Sequence, residues 1–188
     1  MYSLQFDGLF RRFPTPSGTS TIAGFMCYGW LISKDSLVIA RGYGGYAWQN
    51  GAGSVVAEYL AMIEGMEALL DLGIKDQPVN ICGDAKTIID QMQGLAAVIS
   101  PIIKPVYKRA QDLADHFADL SWTWRPRRYN HVADWLTRHA MRQIRSDPKN
   151  YQATIQAMGA GKTLYRSQNS QPILDLRIYK NSGMTISG

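Results

Sequence analysis

Four acidic residues stand in separate local patterns of the chain, and their type and spacing suit a metal site. With their neighbours they read Phe6-Asp7-Gly8, Ala57-Glu58-Tyr59, Gly83-Asp84-Ala85 and Ala133-Asp134-Trp135. Carboxylates that are far apart in sequence but converge on one point bind hard divalent cations, because Mg²⁺ prefers oxygen ligands. Two such ions can clamp the attacking and leaving oxygens of a phosphodiester. The four residues therefore predict metal-dependent phosphodiester hydrolysis.

Each carboxylate also has a purely structural interpretation. Glu58 lies at the border of the apolar stripe of its helix, where a carboxylate is costly unless a cation or hydrogen bonds compensate. Asp84 directly follows a strand, at the carboxyl end where open α/β sheets bind ligands, but an Asp there also suits the N-cap of the next helix. Asp134 falls in the first turn of a helix, where a carboxylate favours the helix dipole whatever its function.

The length and charge of the chain fit one domain with a basic end. At 188 residues the chain is long enough for a single domain with a sizeable core. The formal net charge is +5, and residues 141–188 carry all of this excess, with seven Lys and Arg against two Asp. Such a segment fits an arm near a polyanion, and it equally fits a solvated tail. We therefore predict a domain over 1–145 and a basic C-terminal extension over 146–188.

The cysteines and the N-terminal segment indicate the environment of the protein. Cys27 and Cys82 lie in apolar, strand-like runs without the spacing of a zinc site, so we expect buried, reduced thiols. The first residues show no signal segment, and no run approaches the ~20 apolar residues of a membrane span. These features predict a cytoplasmic protein without a membrane partner.

Hydrophobic periodicity predicts the elements that position the first two carboxylates. Tyr2, Leu4 and Phe6 alternate with polar residues as in a strand, which places Asp7 at the end of that strand. Residues 11–21 contain Pro and Gly and predict a loop, and β-rich runs near 22–32 and 36–43 complete an antiparallel meander. Apolar residues then recur at helical spacing from Ser54, and Gly73 is placed to end that helix. Glu64 and Glu67 are predicted to lie on other faces of this helix than Glu58, about 120° and 180° around the helix axis.

The second half of the domain alternates short strands with helices. We predict strands at 79–82 and 121–125, and helices at 86–93, 102–117 and 130–145, with Asn130 as the last N-cap. The order βββαβαβα predicts an α/β fold with a mixed five-stranded sheet flanked by helices. In this sheet three antiparallel strands are followed by parallel βα units. Beyond Pro148 the pattern weakens, but Leu174, Leu176 and Ile178 alternate as a short strand would. That segment could pair with the edge of the sheet or cover a partner.

Together the four patterns resemble the type 1 ribonuclease H family, in the same order and on the same background of elements. The residues that carry the resemblance lie within about 1–145 and read Asp7-Gly8, Ala57-Glu58-Tyr59, Gly83-Asp84-Ala85 and Asn130-His131-Val132-Ala133-Asp134. The resemblance implies an endonuclease that hydrolyses the RNA strand of RNA–DNA hybrids and leaves 5′-phosphates. It also implies that two Mg²⁺ or Mn²⁺ ions are held by Asp7, Glu58, Asp84 and Asp134.

The same resemblance suggests residues that contact the hybrid. RNA is distinguished from DNA by its 2′-hydroxyl, read across a shallow minor groove, so backbone groups near Gly8 and Ser54 are candidates. Arg128 is a candidate phosphate contact. Asn130 belongs to the last of the four motifs. His131 is the nearest match to a histidine that assists product release in some members of the family. The predicted substrate-binding set is therefore Gly8, Ser54, Arg128, Asn130 and His131.

Two features depart from the family pattern. Ser54 and Val55 stand where members of the archaeal-like branch commonly show Asn-Asn. The strongly basic, Trp-bearing protrusion of some bacterial members is also missing, since only Lys104, Lys108 and Arg109 lie in the corresponding stretch. Two alternatives therefore stay open, a non-catalytic nucleic-acid-binding module on this fold and a related nuclease that cuts a different duplex.

Overall fold

A mixed six-stranded sheet forms the middle layer of the protein. The computed structural model describes residues 1–13, 23–49, 51, 53–159 and 173–180. The strands are β1 (Tyr2–Arg12), β2 (Ala23–Lys34), β3 (Leu37–Gln49), β4 (Val79–Gly83), β5 (Leu120–Trp124) and β6 (Leu174–Tyr179). Their order across the sheet is β5-β4-β1-β2-β3-β6, with β4 and β5 running parallel to β1 and the other pairs antiparallel.

Helices cover both faces of this sheet. Those in the described residues are α1 (Ser54–Asp71), α2 (Lys86–Met92), α3 (Lys104–Ala114), α4 (His131–Ser146) and α5 (Pro148–Gly159). One core, which includes Leu4, Phe6 and Trp30, packs between the sheet and α1 to α3, while a second, which includes Phe25 and Leu136, packs under α4 and α5. None of the described helices is long and apolar enough to span a membrane. The predicted α/β fold is confirmed.

The sheet has one more strand than the five predicted. β6 pairs antiparallel with β3, from Ala40 opposite Tyr179 to Gly45 opposite Leu174. This pairing covers the outer edge of β3, which would otherwise present unpaired backbone groups. The alternation seen in Leu174, Leu176 and Ile178 thus marks a strand at the edge of the sheet. The division at residue 145 remains a prediction, although the described part of the extension packs on the sheet.

Two further boundaries differ from those predicted. β1 continues to Arg12, so Asp7 lies in the middle of an 11-residue strand instead of at its end. Residues 14–22, which hold most of the predicted loop, lie outside the described residues. Asp147-Pro148 ends α4 as predicted, but Pro148 then opens α5, because proline suits the first turn of a helix. Asp147 caps α5 by accepting a hydrogen bond from the Asn150 N–H at 3.1 Å.

The chemistry of the two cysteines follows the prediction. Cys27 and Cys82 are both buried and unpaired. Burial raises the pKa of the Cys27 thiol to about 12, so the thiol stays protonated at neutral pH. Both residues therefore act as small apolar side chains in the cores.

Candidate metal centre

The register of two parallel strands brings Asp7 and Asp84 to the same level of the sheet. The last paired residues of β1 and β4 are Gln5 and Cys82. Asp7 and Asp84 each lie two residues beyond this pair, at the carboxyl end of β4, where open α/β sheets bind ligands. Asp84 does not cap the following helix, because α2 has Ala85 at its N-cap and no side-chain capping bond. The interpretation of Asp84 as an N-cap is therefore wrong, and its role as a metal ligand stays a prediction.

Glu58 reaches the same point because β1 and the start of α1 approach closely at Gly8. A Cβ atom on Gly8 would lie 2.3 Å from the backbone nitrogen of Glu58, a distance that no side chain tolerates. Across this contact the Gly8 N–H donates a hydrogen bond of 3.0 Å to Oε2 of Glu58. Gly8 therefore positions a carboxylate through its backbone. The predicted contact of the Gly8 amide with substrate competes with this bond.

Three of the four predicted carboxylates form one cluster. Ligand oxygens of Asp7, Glu58 and Asp84 all lie within 4.8 Å of one another. Asp7 is 4% exposed, while Glu58 and Asp84 are half-buried, so the cluster opens to solvent on one side. Every donor is a carboxylate oxygen, which is the ligand type that Mg²⁺ and Mn²⁺ prefer. The residues present therefore fit a site for hard divalent cations.

The electrostatics of the cluster also favour a bound cation. Burial, and then the charges of Asp84 and Asp134, raise the pKa of Asp7 to about 7. Burial, and then Asp7 and Asp84, raise the pKa of Glu58 well above its ordinary value. Crowded carboxylates that are partly removed from water repel one another, and a dication relieves this repulsion.

Asp134 is not a member of this cluster. Its two carboxylate oxygens accept hydrogen bonds from Arg127 and, at 2.8 Å, from Arg138. Although partial burial alone would raise the pKa of Asp134, the bonds from Arg138 and Arg127 hold it below its ordinary value. The charge of Asp134 still contributes to the raised pKa of Asp7, so the residue lies beside the cluster. The structure thus brings three of the four predicted carboxylates together while two arginines hold the fourth, and the role of Asp134 as a metal ligand stays a prediction.

Asn130 connects the last motif to the cluster. Its side chain is buried, and its Nδ2 group donates to the Phe6 carbonyl at 2.8 Å and to Oδ1 of Asp84 at 3.2 Å. The residue stands at the N-cap position of α4, but its side chain does not cap the helix, contrary to the prediction. The amide instead connects β1 to Asp84 through these two hydrogen bonds. Asn130 therefore orients the carboxylate of Asp84 within the cluster.

The other predicted substrate contacts lie on the surface. Ser54 is exposed at the start of α1, one turn before Glu58. The guanidinium of Arg128 is exposed and lies 4.8 Å from the centre of the Tyr129 ring. His131 is the exposed first residue of α4. These positions leave all three side chains accessible, and their contact with substrate stays a prediction.

Thr137 is a supporting residue that the sequence did not predict. Its hydroxyl is buried within hydrogen-bond distance of the backbone oxygen of Asp7, at 3.0 Å, and of Ala133, at 2.8 Å. α4 can come this close to the sheet because Gly29 of β2 has no side chain, and a Cβ there would lie 2.6 Å from the Ala133 oxygen. A threonine inside a helix gives no sequence signal of such a role, because the pairing depends on the packing of α4.

Comparison with known proteins agrees with this fold. The family model described as reverse transcriptase-like matches residues 27–140, which is more than half of the chain and includes Glu58, Asp84 and Asp134. The chain therefore belongs to the reverse transcriptase-like family, and its resemblance to type 1 ribonuclease H is confirmed.

Two curated relatives illustrate the sequence similarity. A protein named Ribonuclease HI from Halobacterium salinarum is 32% identical over 139 residues, which are 72% of this chain and 62% of the relative. A bifunctional protein of Mycobacterium tuberculosis is 29% identical over 138 residues, which are 73% of this chain and 35% of that protein. The similarity thus spans less than two thirds of the length of either relative.

Solved structures share the fold over most of the chain. The N-terminal ribonuclease H domain of the mycobacterial protein matches with a TM-score of 0.64 and 27% identity, covering 78% of this chain and 97% of that domain. The ribonuclease H1 of Halobacterium salinarum matches with a TM-score of 0.61 and 28% identity, covering 76% and 98%. A compost-derived ribonuclease H1, solved with an RNA/DNA hybrid, has the same fold at 22% identity and a TM-score of 0.64, covering 77% and 99%.

Proposed function

We propose that the protein is a ribonuclease H that hydrolyses the RNA strand of RNA–DNA hybrids and leaves 5′-phosphate ends. The observation that carries this proposal is the cluster of Asp7, Glu58 and Asp84, whose ligand oxygens lie within 4.8 Å of one another. The names of the relatives support the activity, and the hybrid bound to the compost enzyme supports the substrate. The fold alone would not identify a function, because one fold hosts many activities.

We propose that Asp7, Glu58 and Asp84 hold Mg²⁺ or Mn²⁺, two ions in the working site, with Asp134 beside them. When bound, such ions lower the pKa of an attacking water and stabilise the leaving oxygen of a phosphodiester. The protein's own residues set the geometry that this requires. The Gly8 N–H orients Glu58, and the Asn130 amide orients Asp84, so that both carboxylates are fixed before substrate arrives.

The surface around the cluster suits an anionic substrate. Arg127 and Arg138 donate to Asp134 while the side chain of each remains more than half exposed. Guanidinium groups with free donors bind phosphate oxygens in a planar, bidentate manner. We propose that these two arginines contact the phosphates that flank the cleaved bond.

Metal-dependent stability separates an enzyme from a binding module that has only kept the fold. We expect millimolar Mg²⁺ to raise the melting temperature of the wild type, because a ligand that binds only the folded state stabilises it. Asp84→Asn should lose this shift. Asp76→Asn, which changes an exposed carboxylate outside the cluster, should keep it. A wild type that shows no response to Mg²⁺ or Mn²⁺ would contradict the proposed metal site.

A further inference from the structure

One face of α4 presents a continuous row of basic and aromatic side chains to solvent. The exposed positions recur at intervals of four and three residues, and we refer to them as the basic stripe: His131, Trp135, Arg138, Arg142 and Arg145. At about 100° per residue these positions fall within roughly 80° of the helix circumference. The stripe contains three arginines and no carboxylate, so it is a row of positive charge.

The charges at the far end of this stripe are available to a ligand. Arg138 is paired with Asp134, but Arg142 and Arg145 have no carboxylate partner in the described part of the chain. On a helix, an arginine pairs with an acidic residue that stands three or four positions away. The last three turns of α4 offer none on this face. Two exposed guanidinium groups therefore stand free, about one turn apart.

Trp135 adds an aromatic surface that is held in place. Its indole is 50% exposed and stacks on the imidazole of His139, with ring centres 5.0 Å apart and planes 11° apart. His139 in turn meets the ring of Tyr43 on β3 edge-on at 5.0 Å. One side of the indole is thus supported by the protein, and the exposed half is left free to stack on a ligand.

The stripe begins at the metal centre and leads away from it. His131 directly follows Asn130, whose amide bonds to Asp84, and Thr137 on the same helix bonds to the backbone of Asp7. From His131 to Arg145 the helix rises by about 21 Å at about 1.5 Å per residue. A polyanion bound at the cluster can therefore continue along α4 for several phosphates.

We propose that the basic stripe binds a single-stranded nucleic acid that flanks the hybrid. Proteins grip single strands by combining a positively charged track for the phosphates with aromatic rings on which bases stack. A duplex hides the faces of its bases, so Trp135 has a stacking partner only where the strand is unpaired. The continuity between stripe and metal centre rests on the proposed function, whereas single-strand binding at Trp135, Arg142 and Arg145 does not.

The test measures binding of a fluorescein-labelled 12-nucleotide poly-dT in EDTA by fluorescence anisotropy over a series of NaCl concentrations. The double variant Arg142→Ala with Arg145→Ala should lower the slope of log affinity against log salt by about 1.4, since each phosphate contact on a single strand contributes about 0.7. Trp135→Ala should weaken binding by about fivefold or more, the loss expected for one base stack.

A matched control removes the same charge elsewhere. Lys34 and Lys75 are exposed and lie outside α4: Lys34 pairs with Tyr2 at the end of β2, and Lys75 precedes β4, whose first residue also pairs with Tyr2. Lys34→Ala with Lys75→Ala should therefore leave the slope unchanged. Arg142→Gln with Arg145→Gln repeats the measurement with side chains that keep their bulk, and circular dichroism checks that every variant is folded. An equal loss of slope in the lysine control would overturn the proposal.

Two further outcomes would also overturn it. The first is a wild type that does not bind poly-dT, or stripe variants that bind it as the wild type does. The second is a poly-glutamate peptide that displaces the oligonucleotide at equal charge concentration, because the stripe would then be a general site for acidic chains. Cleavage of a blunt hybrid by the wild type is measured separately in Mg²⁺. Its absence would contradict the proposed function and leave the result with poly-dT unaffected.

Discussion

Arg177 on β6 donates a hydrogen bond of 2.8 Å to Oε2 of Glu64 on α1, and the side chain of Glu64 is fully buried. The other oxygen of Glu64 accepts from the Tyr46 hydroxyl. Arg177 also donates to Asp71 at 2.7 Å, so it holds two carboxylates of the helix that supplies Glu58. The C-terminal strand is therefore joined to α1 by buried charge as well as to β3 by backbone pairing.

Arg177→Met should destabilise the protein by about 3–5 kcal/mol, because it leaves the buried Glu64 carboxylate without its cation. Burial, and then Glu67, already raise the pKa of Glu64, and loss of Arg177 should raise it further. The variant should therefore recover part of its stability as the pH falls and Glu64 takes up a proton.

Urea unfolding of this variant at several pH values measures both effects. The double variant Arg177→Met with Glu64→Gln serves as the control, since it removes both charges and should be more stable than Arg177→Met alone. If Arg177→Met unfolds at the same urea concentration as the wild type, the proposed connection between β6 and α1 is wrong.

Without metal, the Asp7 carboxylate should destabilise the folded protein at neutral pH and above. Its pKa is raised from 3.8 to about 7, so the folded state binds the proton more tightly than the unfolded state. Stability should then fall as the pH rises from about 4 to about 7, by at most about 4 kcal/mol for a shift of this size. Asp7→Asn should reduce this dependence, and the raised pKa values of Glu58 and Glu64 should account for the part that remains.

Thermal melts in EDTA between pH 4 and pH 8 test this expectation. At pH 8 Asp7→Asn should melt at a higher temperature than the wild type, and added Mg²⁺ should reduce or reverse the difference by stabilising only the wild type. A variant that is less stable than the wild type at pH 8 in EDTA would contradict the view that the cluster is strained without a cation.

Asn130→Ala should weaken metal binding although Asn130 is not itself a ligand. It removes the amide that orients Asp84, and residues that orient a metal ligand typically change affinity by about 10–100-fold. The variant should also lose about 1–3 kcal/mol of stability, because the buried Phe6 carbonyl loses its donor.

Isothermal titration with Mn²⁺ measures this affinity. Asn80→Ala is the matched control. Asn80 lies on β4, the strand that directly precedes Asp84, and its side chain accepts a hydrogen bond from Thr123 at 3.0 Å. In the part of the chain that the structure describes, Asn80 has no hydrogen bond to the carboxylates of the cluster. We expect the Asn80 variant to bind Mn²⁺ as the wild type does. Equal weakening in both variants would indicate a general loss of structure.

Asp134 should be the least important of the four carboxylates for binding the metal in the absence of substrate. Arg127 and Arg138 already neutralise it, whereas Asp7, Glu58 and Asp84 lie together. We expect Asp134→Asn to keep a clear Mg²⁺-dependent rise in melting temperature, and Asp84→Asn to lose it. Complete loss in Asp134→Asn would show that the arginine pairs break when the metal binds and that Asp134 is an equal ligand.

The parts of the fold that could be predicted are those coded by nearby residues. The helical period from Ser54 and the turn at Gly73 placed α1 correctly, because both signals are local. Asp7, Glu58 and Asp84 could be matched because each stands in its own short motif, and the sheet register then brings them together.

The remaining features depend on contacts between distant residues. Glu64 is buried because Arg177, 113 residues further along the chain, supplies its cation, and no local pattern indicates such a partner. Arg138 stands at the i, i+4 spacing of a helix ion pair with Asp134, but Arg127 lies before α4, so spacing alone does not indicate that two arginines share this carboxylate. The side chain of Asn130 does not cap α4, and its amide is instead directed at the Phe6 carbonyl and Asp84, which are distant in sequence.

The proposed ribonuclease H activity is measured by cleavage of four labelled duplexes in Mg²⁺: RNA–DNA, DNA–DNA, RNA–RNA and a DNA duplex with a single ribonucleotide in one strand. The wild type and Asp76→Asn should cut the RNA strand of the RNA–DNA hybrid and leave 5′-phosphates, and Asp84→Asn should not. The first two proteins should leave the DNA–DNA duplex intact. Two results would contradict the proposed activity. One is a folded wild type that cuts none of the four duplexes in Mg²⁺ or Mn²⁺. The other is an Asp84→Asn variant that cuts the hybrid at the rate of the wild type.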